Sequence, residues 1–129
     1  MTRLLGLFVL LAGFACAQNR VYELRTYTCN EGKLEALKAR FRDHTIEIFK
    51  RHGMESVGYW VPQDGPASKT TLIYVLVHSS REAAKKNWAE FNTDPEWVKV
   101  RTASEVNGKI LAKPPESVFM DPTDFSKLK

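Results

Sequence analysis

Thr71-Leu72-Ile73-Tyr74-Val75-Leu76-Val77-His78 is apolar at nearly every position between its polar ends. A strand with one wet face alternates apolar with polar residues, whereas a continuous run like this one is expected when both faces of a sheet are covered. Just upstream, Met54-Glu55-Ser56-Val57-Gly58-Tyr59-Trp60-Val61 reads as another strand, stopped by Pro62. Between them Gln63-Asp64-Gly65-Pro66-Ala67-Ser68 is turn-forming, so the two strands should pair as an antiparallel hairpin.

Towards the N-terminus, Val21-Tyr22-Glu23-Leu24-Arg25-Thr26-Tyr27-Thr28 is a first strand. Side chains alternate across a strand, so Tyr22, Leu24, Thr26 and Thr28 share one face and Val21, Glu23, Arg25 and Tyr27 the other. The second face carries opposite charges two residues apart, which suits a wet or cavity-lining surface better than a dry core. Asn30 is placed to cap a helix from Glu31 to His52, with Gly53 as its left-handed stop. Leu34, Leu37, Phe41, Ile48 and Phe49 form its buried stripe. At about 100° per residue, His52 falls near the middle of that stripe and His44 roughly 60° to one side. Arg40, Arg42, Lys38 and Lys50 fall outside its centre.

Towards the C-terminus, Ser79 opens a helix with Glu82 at capping-box spacing, and Ala84, Trp88 and Phe91 mark its buried side. After a break at Asn92-Thr93, Asp94-Pro95-Glu96-Trp97 restarts a helix, with Asp94 as cap and Pro95 in the first turn, where its missing donor costs nothing. Pro114-Pro115 leads into a short last strand, Glu116-Ser117-Val118-Phe119-Met120, ended by Pro122; the tail from Asp121 to Lys129 reads as a polar terminus. The order is β-α-β-β-α-β: an α+β, ferredoxin-like antiparallel sheet with helices on one face. The other face of the apolar third strand must also be covered, which predicts a homodimer with sheets facing each other.

The first residues carry an address. Arg3 precedes the apolar run Leu4–Phe14, too short to span a bilayer, and Ala15-Cys16-Ala17 is a small-residue cleavage site. Residues 1–17 therefore read as a signal peptide and 18–129 as one exported domain, periplasmic or secreted, with no membrane association after cleavage. A lipoprotein anchor on Cys16 fits less well, because Gly13 stands where lipoprotein signals carry Leu. Without residues 1–17, eighteen Lys and Arg face fifteen Asp and Glu, and these charges are spread rather than clustered. No basic face for nucleic acid is evident. Cys29 is then the one thiol, so no intrachain disulfide is available; with three scattered His it makes too few ligands for a structural zinc. No metal and no cofactor are expected.

Three stretches taken together, Tyr22-Glu23-Leu24-Arg25-Thr26-Tyr27, His52-Gly53-Met54 through Val57-Gly58-Tyr59-Trp60, and Asp94-Pro95-Glu96-Trp97, resemble the NIPSNAP family. The resemblance covers most of residues 20–120. It implies a dimeric α/β barrel, the fold group that also holds antibiotic-biosynthesis-type monooxygenases, chlorite dismutases and dye-decolourising peroxidases. The family supplies no settled activity to carry over. Its mitochondrial members look like interaction proteins in organelle quality control, and this short, export-marked chain departs from them. Haem-binding relatives of the fold use a His late in the domain, yet none follows His78 here. Cofactor-independent monooxygenases of the fold use Asn, Trp, Arg or His. Asn87, Trp88, Arg25 and His44 supply those types, without the spacing of a triad.

Against that background Arg25, Tyr27, His44, Trp60 and Trp88 are the candidate ligand-binding residues. Arg25 would hold an anionic group and Tyr27 would donate a hydrogen bond; the competing reading is a cross-strand ion pair. His44 and Tyr27 are the candidate catalytic residues, since His titrates near neutrality. His52 beside Gly53 reads instead as a helix end favoured by the dipole. Neither a phosphate-binding glycine loop nor a nucleophile elbow is present. The leading expectation is a small hydrophobic or aromatic molecule bound in a pocket between sheet and helices. The alternatives are a cofactor-independent monooxygenase or isomerase, and a non-enzymatic interaction protein.

Overall fold

A computed structural model describes residues 20–129; the expected signal segment at 1–17 lies outside the described residues. The elements are β1 (Val21–Thr28), α1 (Leu34–Arg40), a π-helical turn (Phe41–Thr45), α2 (Ile46–Arg51), β2 (Glu55–Trp60), β3 (Thr71–His78), α3 (Arg81–Thr93), α4 (Pro95–Ser104) and β4 (Glu116–Met120). The strands lie in the order β2-β3-β1-β4, and every neighbouring pair is antiparallel. This is the α+β, ferredoxin-like sheet that the pattern of the sequence predicts. Among the described residues no helix is long and apolar enough to cross a membrane.

Register decides what each face holds. Arg25 pairs with Tyr74 on one side and Ser117 on the other, and Glu23 pairs with Leu76 and Phe119. Paired residues point to the same face, so Glu23, Arg25 and Tyr27 share theirs with Leu72, Tyr74, Leu76 and His78. That face lies under the helices, and its carboxylate is not wet: Glu23 is 1% exposed, whereas the Arg25 side chain keeps 14% exposure. An aromatic core fills the space between. Phe41 packs on Tyr27, Phe49 and Tyr74 with ring centroids 5.2–5.9 Å apart, and Phe91 sits 4.9 Å from Phe49 and 4.6 Å from Trp97. Leu37, Ile48, Phe49 and Tyr74 are wholly buried, each worth roughly 1.5–3 kcal/mol of apolar transfer.

The first helix is shorter and more irregular than the sequence suggests. Asn30 does not cap it. Its Nδ2 instead donates to the carbonyls of Lys109 and Leu111, and its N–H to that of Ile110, tying the end of β1 to the segment before β4. Cys29 forms a backbone bridge with Leu111 and is buried. Helix α1 starts at Leu34 with Lys33 as an N-cap that offers no side-chain bond. At the other end Gly53, with φ 75°, does serve as the stop. The N–H of Met54 reaches Phe49 and that of Gly53 reaches Lys50, the pair of bonds that defines a Schellman end. Ser80, not Ser79, caps α3 by accepting from the Ala83 N–H. Asp94 caps α4 as expected, accepting from the Glu96 N–H at 2.8 Å.

The opposite face of the sheet carries Tyr22 and Leu24 from β1, Ile73, Val75 and Val77 from β3, and Val118 and Met120 from β4. Trp60, paired with Ile73, is 52% exposed there, and Val118 is 54% exposed. The indole lies so close over Gly58 that a Cβ at that position would approach its ring to 2.6 Å. The tail is not simply a polar terminus: Pro122, Ser126 and Leu128 border a groove with Tyr22 and Trp60 at the edge of this face.

Candidate functional site

Glu23 is the hub of the helix-covered face. Its Oε1 accepts from Trp88 Nε1 at 2.7 Å and from His78 Nε2 at 2.9 Å, and its Oε2 accepts from Ser117 Oγ at 2.6 Å and Arg25 Nη1 at 3.1 Å. Four strands and helices thus contribute donors to one buried carboxylate (β1, β3, β4 and α3). Burial alone would raise its pKa. Hydrogen bonds from His78, Ser117 and Trp88, with the charge of Arg25, outweigh that and hold it at about 2. An ionised carboxylate only accepts, which assigns the Nε2 proton of His78. Nothing among the described residues bonds His78 Nδ1.

Arg25 is oriented by this hub. Its Nε donates to the Tyr74 hydroxyl and its Nη2 to the Tyr27 hydroxyl, both at 3.3 Å, while its guanidinium lies 4.2 Å from the Trp88 ring centroid. Burial works to lower its pKa, but the phenol oxygens of Tyr74 and Tyr27 raise it on balance. Tyr74 also donates to the Tyr27 oxygen at 3.0 Å. Tyr27 accepts both bonds, and among the described residues nothing accepts its own proton.

Arg25, Tyr27 and Trp88 form one wall of a cleft of about 700 Å³ between the sheet and the last two helices. Phe91, Trp97 and Leu111 supply further apolar surface to it. The ion pair of Arg25 is with Glu23 on its own strand rather than across strands, and the guanidinium also stands on the wall of the cleft.

The structure does not bring the other two candidates to this place. His44 lies on the π-helical turn and points outward while Phe41, Thr45, Ile48 and Phe49 turn inward, so it borders a separate surface groove between α1 and α4. Trp60 is on the far face of the sheet. His52 donates at 2.7 Å to Asp94 and serves the junction of α2 with α4. Three contributors escaped the sequence reading. His78 and Ser117 become visible only through strand register. Arg40 falls outside the centre of the helix stripe, yet α4 covers that flank and leaves it 5% exposed. Its one sequence signal is its position three residues after Leu37. Among the described residues no three His, Cys, Asp or Glu side chains gather as a metal site.

A family model described as NIPSNAP matches residues 22–127. Among solved structures, a NIPSNAP family protein of unknown function from Agrobacterium tumefaciens is 28% identical. It covers 87% of this chain and 96% of its own, with a TM-score of 0.72. A second from that organism is 24% identical, covers 85% and 99%, and also scores 0.72. A Streptomyces coelicolor monooxygenase solved in complex with Nanaomycin D is 21% identical, covers 82% and 89%, and scores 0.54, a likeness of fold. No curated protein matches the chain.

Proposed function

This chain belongs to the NIPSNAP family, and from that premise we propose that it is an exported, homodimeric domain that binds a small hydrophobic or aromatic molecule in the cleft beside Arg25, Tyr27 and Trp88. The observation that carries the reading is the cleft itself. Its volume, about 700 Å³, lies within the roughly 300–1,000 Å³ typical of small-molecule sites. Its walls combine the aromatic rings of Tyr27, Trp88, Phe91 and Trp97 with charged side chains, among which Arg25 is held in place by Glu23. Such a site gains affinity from apolar burial and orientation from the polar groups. Export is supported by the pattern of residues 1–17, and the dimer by the apolar, exposed sheet face around Trp60 and Val118.

The test uses a neutral aromatic probe, 1-aminoanthracene, with protein expressed from the full sequence. Its emission should rise on binding, and Ala112→Trp, which places an indole in the cleft at an exposed lining position, should abolish the rise. A probe that never binds, or binds Ala112→Trp equally, removes the reading.

A cofactor-independent oxygenase or isomerase is the second reading. Tyr27 favours it, because its hydroxyl proton is free to be donated to a bound molecule. His44 has no part in it, being outside the cleft. Air oxidation of a dihydroxynaphthalene that neither the protein accelerates nor Tyr27→Phe slows would leave binding alone.

A further inference from the structure

We propose that Arg40 is an anion anchor, so that the cleft takes a small apolar or aromatic molecule bearing one carboxylate or similar anionic group, with the anion held at Arg40. This deepens the binding reading and rests on it.

Two of the arginines lining the cleft are largely shielded, Arg40 with 4% and Arg25 with 14% of its side chain exposed, and they differ in how their charge is met. Each guanidinium lies against a tryptophan, Arg25 at 4.2 Å from the Trp88 ring centroid and Arg40 at 5.1 Å from that of Trp97. Arg25 has its charge answered by Glu23 at 3.1 Å, and its Nε and Nη2 donate to Tyr74 and Tyr27, so each of its three nitrogens has a partner. Arg40 is paired more loosely. Its Nη1 donates to the neutral Ser104 hydroxyl at 3.2 Å and makes its ion pair with Glu105 at the longer distance of 3.6 Å, Glu105 being itself partly exposed. Among the described residues nothing accepts from its buried Nε. A guanidinium with its side chain 4% exposed and a donor unpaired is costly to bury unless an anion completes it. Burial accordingly pushes its pKa down, with only partial recovery from Tyr27 and Glu105.

The surroundings point to the same ligand. Arg101, Lys109 and Lys113 line the cleft along with Arg25 and Arg40, and Glu105 is the one acidic residue on its walls. Trp97 lies beside Arg40, and Phe91, packed on Trp97 at 4.6 Å, lines the same cleft, so an apolar body has aromatic surface to meet. The backbone under Arg40 is held too: the Thr45 hydroxyl donates to the Arg40 carbonyl at 3.2 Å across the π-helical turn. Such turns recur at functional sites, and here one fixes the position from which the guanidinium reaches the cleft.

The experiment is calorimetric titration with a matched pair of probes, 2-naphthoate and its neutral counterpart 2-naphthamide. The acid should bind about tenfold or more tightly than the amide, the usual worth of a charge-assisted bond. Arg40→Gln should bring the acid to the level of the amide. Glu105→Gln, which removes the competing carboxylate, should tighten the acid severalfold relative to the amide. That variant keeps the test decisive should Arg40→Gln fail to fold. Equal binding of the two probes overturns the anchor while leaving the cleft as a binding site. A preference that survives Arg40→Gln, or that Glu105→Gln leaves unchanged, overturns it as well. Failure of both probes to bind removes the cleft reading itself, and the anchor with it.

Discussion

Glu23 and His78 meet across β1 and β3 with Oε1 2.9 Å from Nε2, and neither side chain reaches solvent. Because the carboxyl is held at about 2, well below its ordinary value of 4.5, its contribution to stability is present above the unfolded pKa and is lost as pH falls towards 2. The depression corresponds to about 3 kcal/mol. Glu23→Gln should be less stable than the parent at pH 7 and should lose less between pH 6 and pH 2.5. Urea unfolding at those pH values reads the difference; parallel pH profiles for the two proteins would exclude the hub as a source of acid sensitivity.

Arg25→Lys keeps a positive charge beside Glu23 but cannot present a planar fork. The bonds to Tyr27 and Tyr74, and the flat contact with Trp88, are lost together. A cost of about 1–3 kcal/mol follows from leaving the buried Tyr74 oxygen without its donor, Tyr27 still accepting from Tyr74. The urea midpoint measures it, and a midpoint equal to that of the parent would mean that charge alone is what the site requires.

Asp94 joins three jobs. It caps α4 through the Glu96 N–H, accepts from His52 at 2.7 Å and pairs with Arg51 at 3.4 Å. The bond from His52 is the main reason its pKa lies near 2, so its ionic share is lost as pH falls from the ordinary carboxylate range towards that value. Asn can still cap a helix and Ala cannot. Thermal melts at pH 7 should rank the parent above Asp94→Asn and that above Asp94→Ala, with the gap between the first two narrowing at pH 2.5. Identical melts for the two variants would show that the cap contributes nothing.

On the open face, Val118→Asp places a charge at a site 54% exposed in one chain, so the domain should fold as before. If sheets pair face to face, the charge would be buried against apolar surface and the dimer should dissociate. Light scattering should give twice the mass of one chain for the parent and one chain for the variant, with unchanged far-ultraviolet circular dichroism. A monomeric parent ends the dimer proposal.

The strands were the most legible part of this chain, because alternation, β-branching and prolines act locally. Val21–Thr28, Thr71–His78 and Glu116–Met120 stand where the sequence puts them, and β2 differs only by ending at Glu55 and Trp60. Local signals failed where a side chain had a distant competitor. Asn30 has the chemistry of a cap, but the carbonyls of Lys109 and Leu111 claim it. Ser79 and Ser80 are alike in type, and only the backbone turn selects Ser80. At the site, Arg25, Tyr27 and Trp88 were readable from a charged strand face and an amphipathic helix. The Glu23–His78 contact depends on register between strands 55 residues apart. Arg40 depends on which helix covers a flank; its spacing from Leu37 marks the position on α1 but does not say that α4 lies over it.

Cys29, sealed beside Leu111 at 3% exposure, has a thiol that burial pushes towards the protonated form. Only the thiolate attacks an electrophile. A chain beginning at Gln18 should therefore be silent to maleimide while folded, and one cysteine introduced on the surface would take a spectroscopic label without background. A nitroxide at Lys99, beside the groove near His44, and another protein labelled at Val118 would report separately on movements of α4 and on the distance between two sheets.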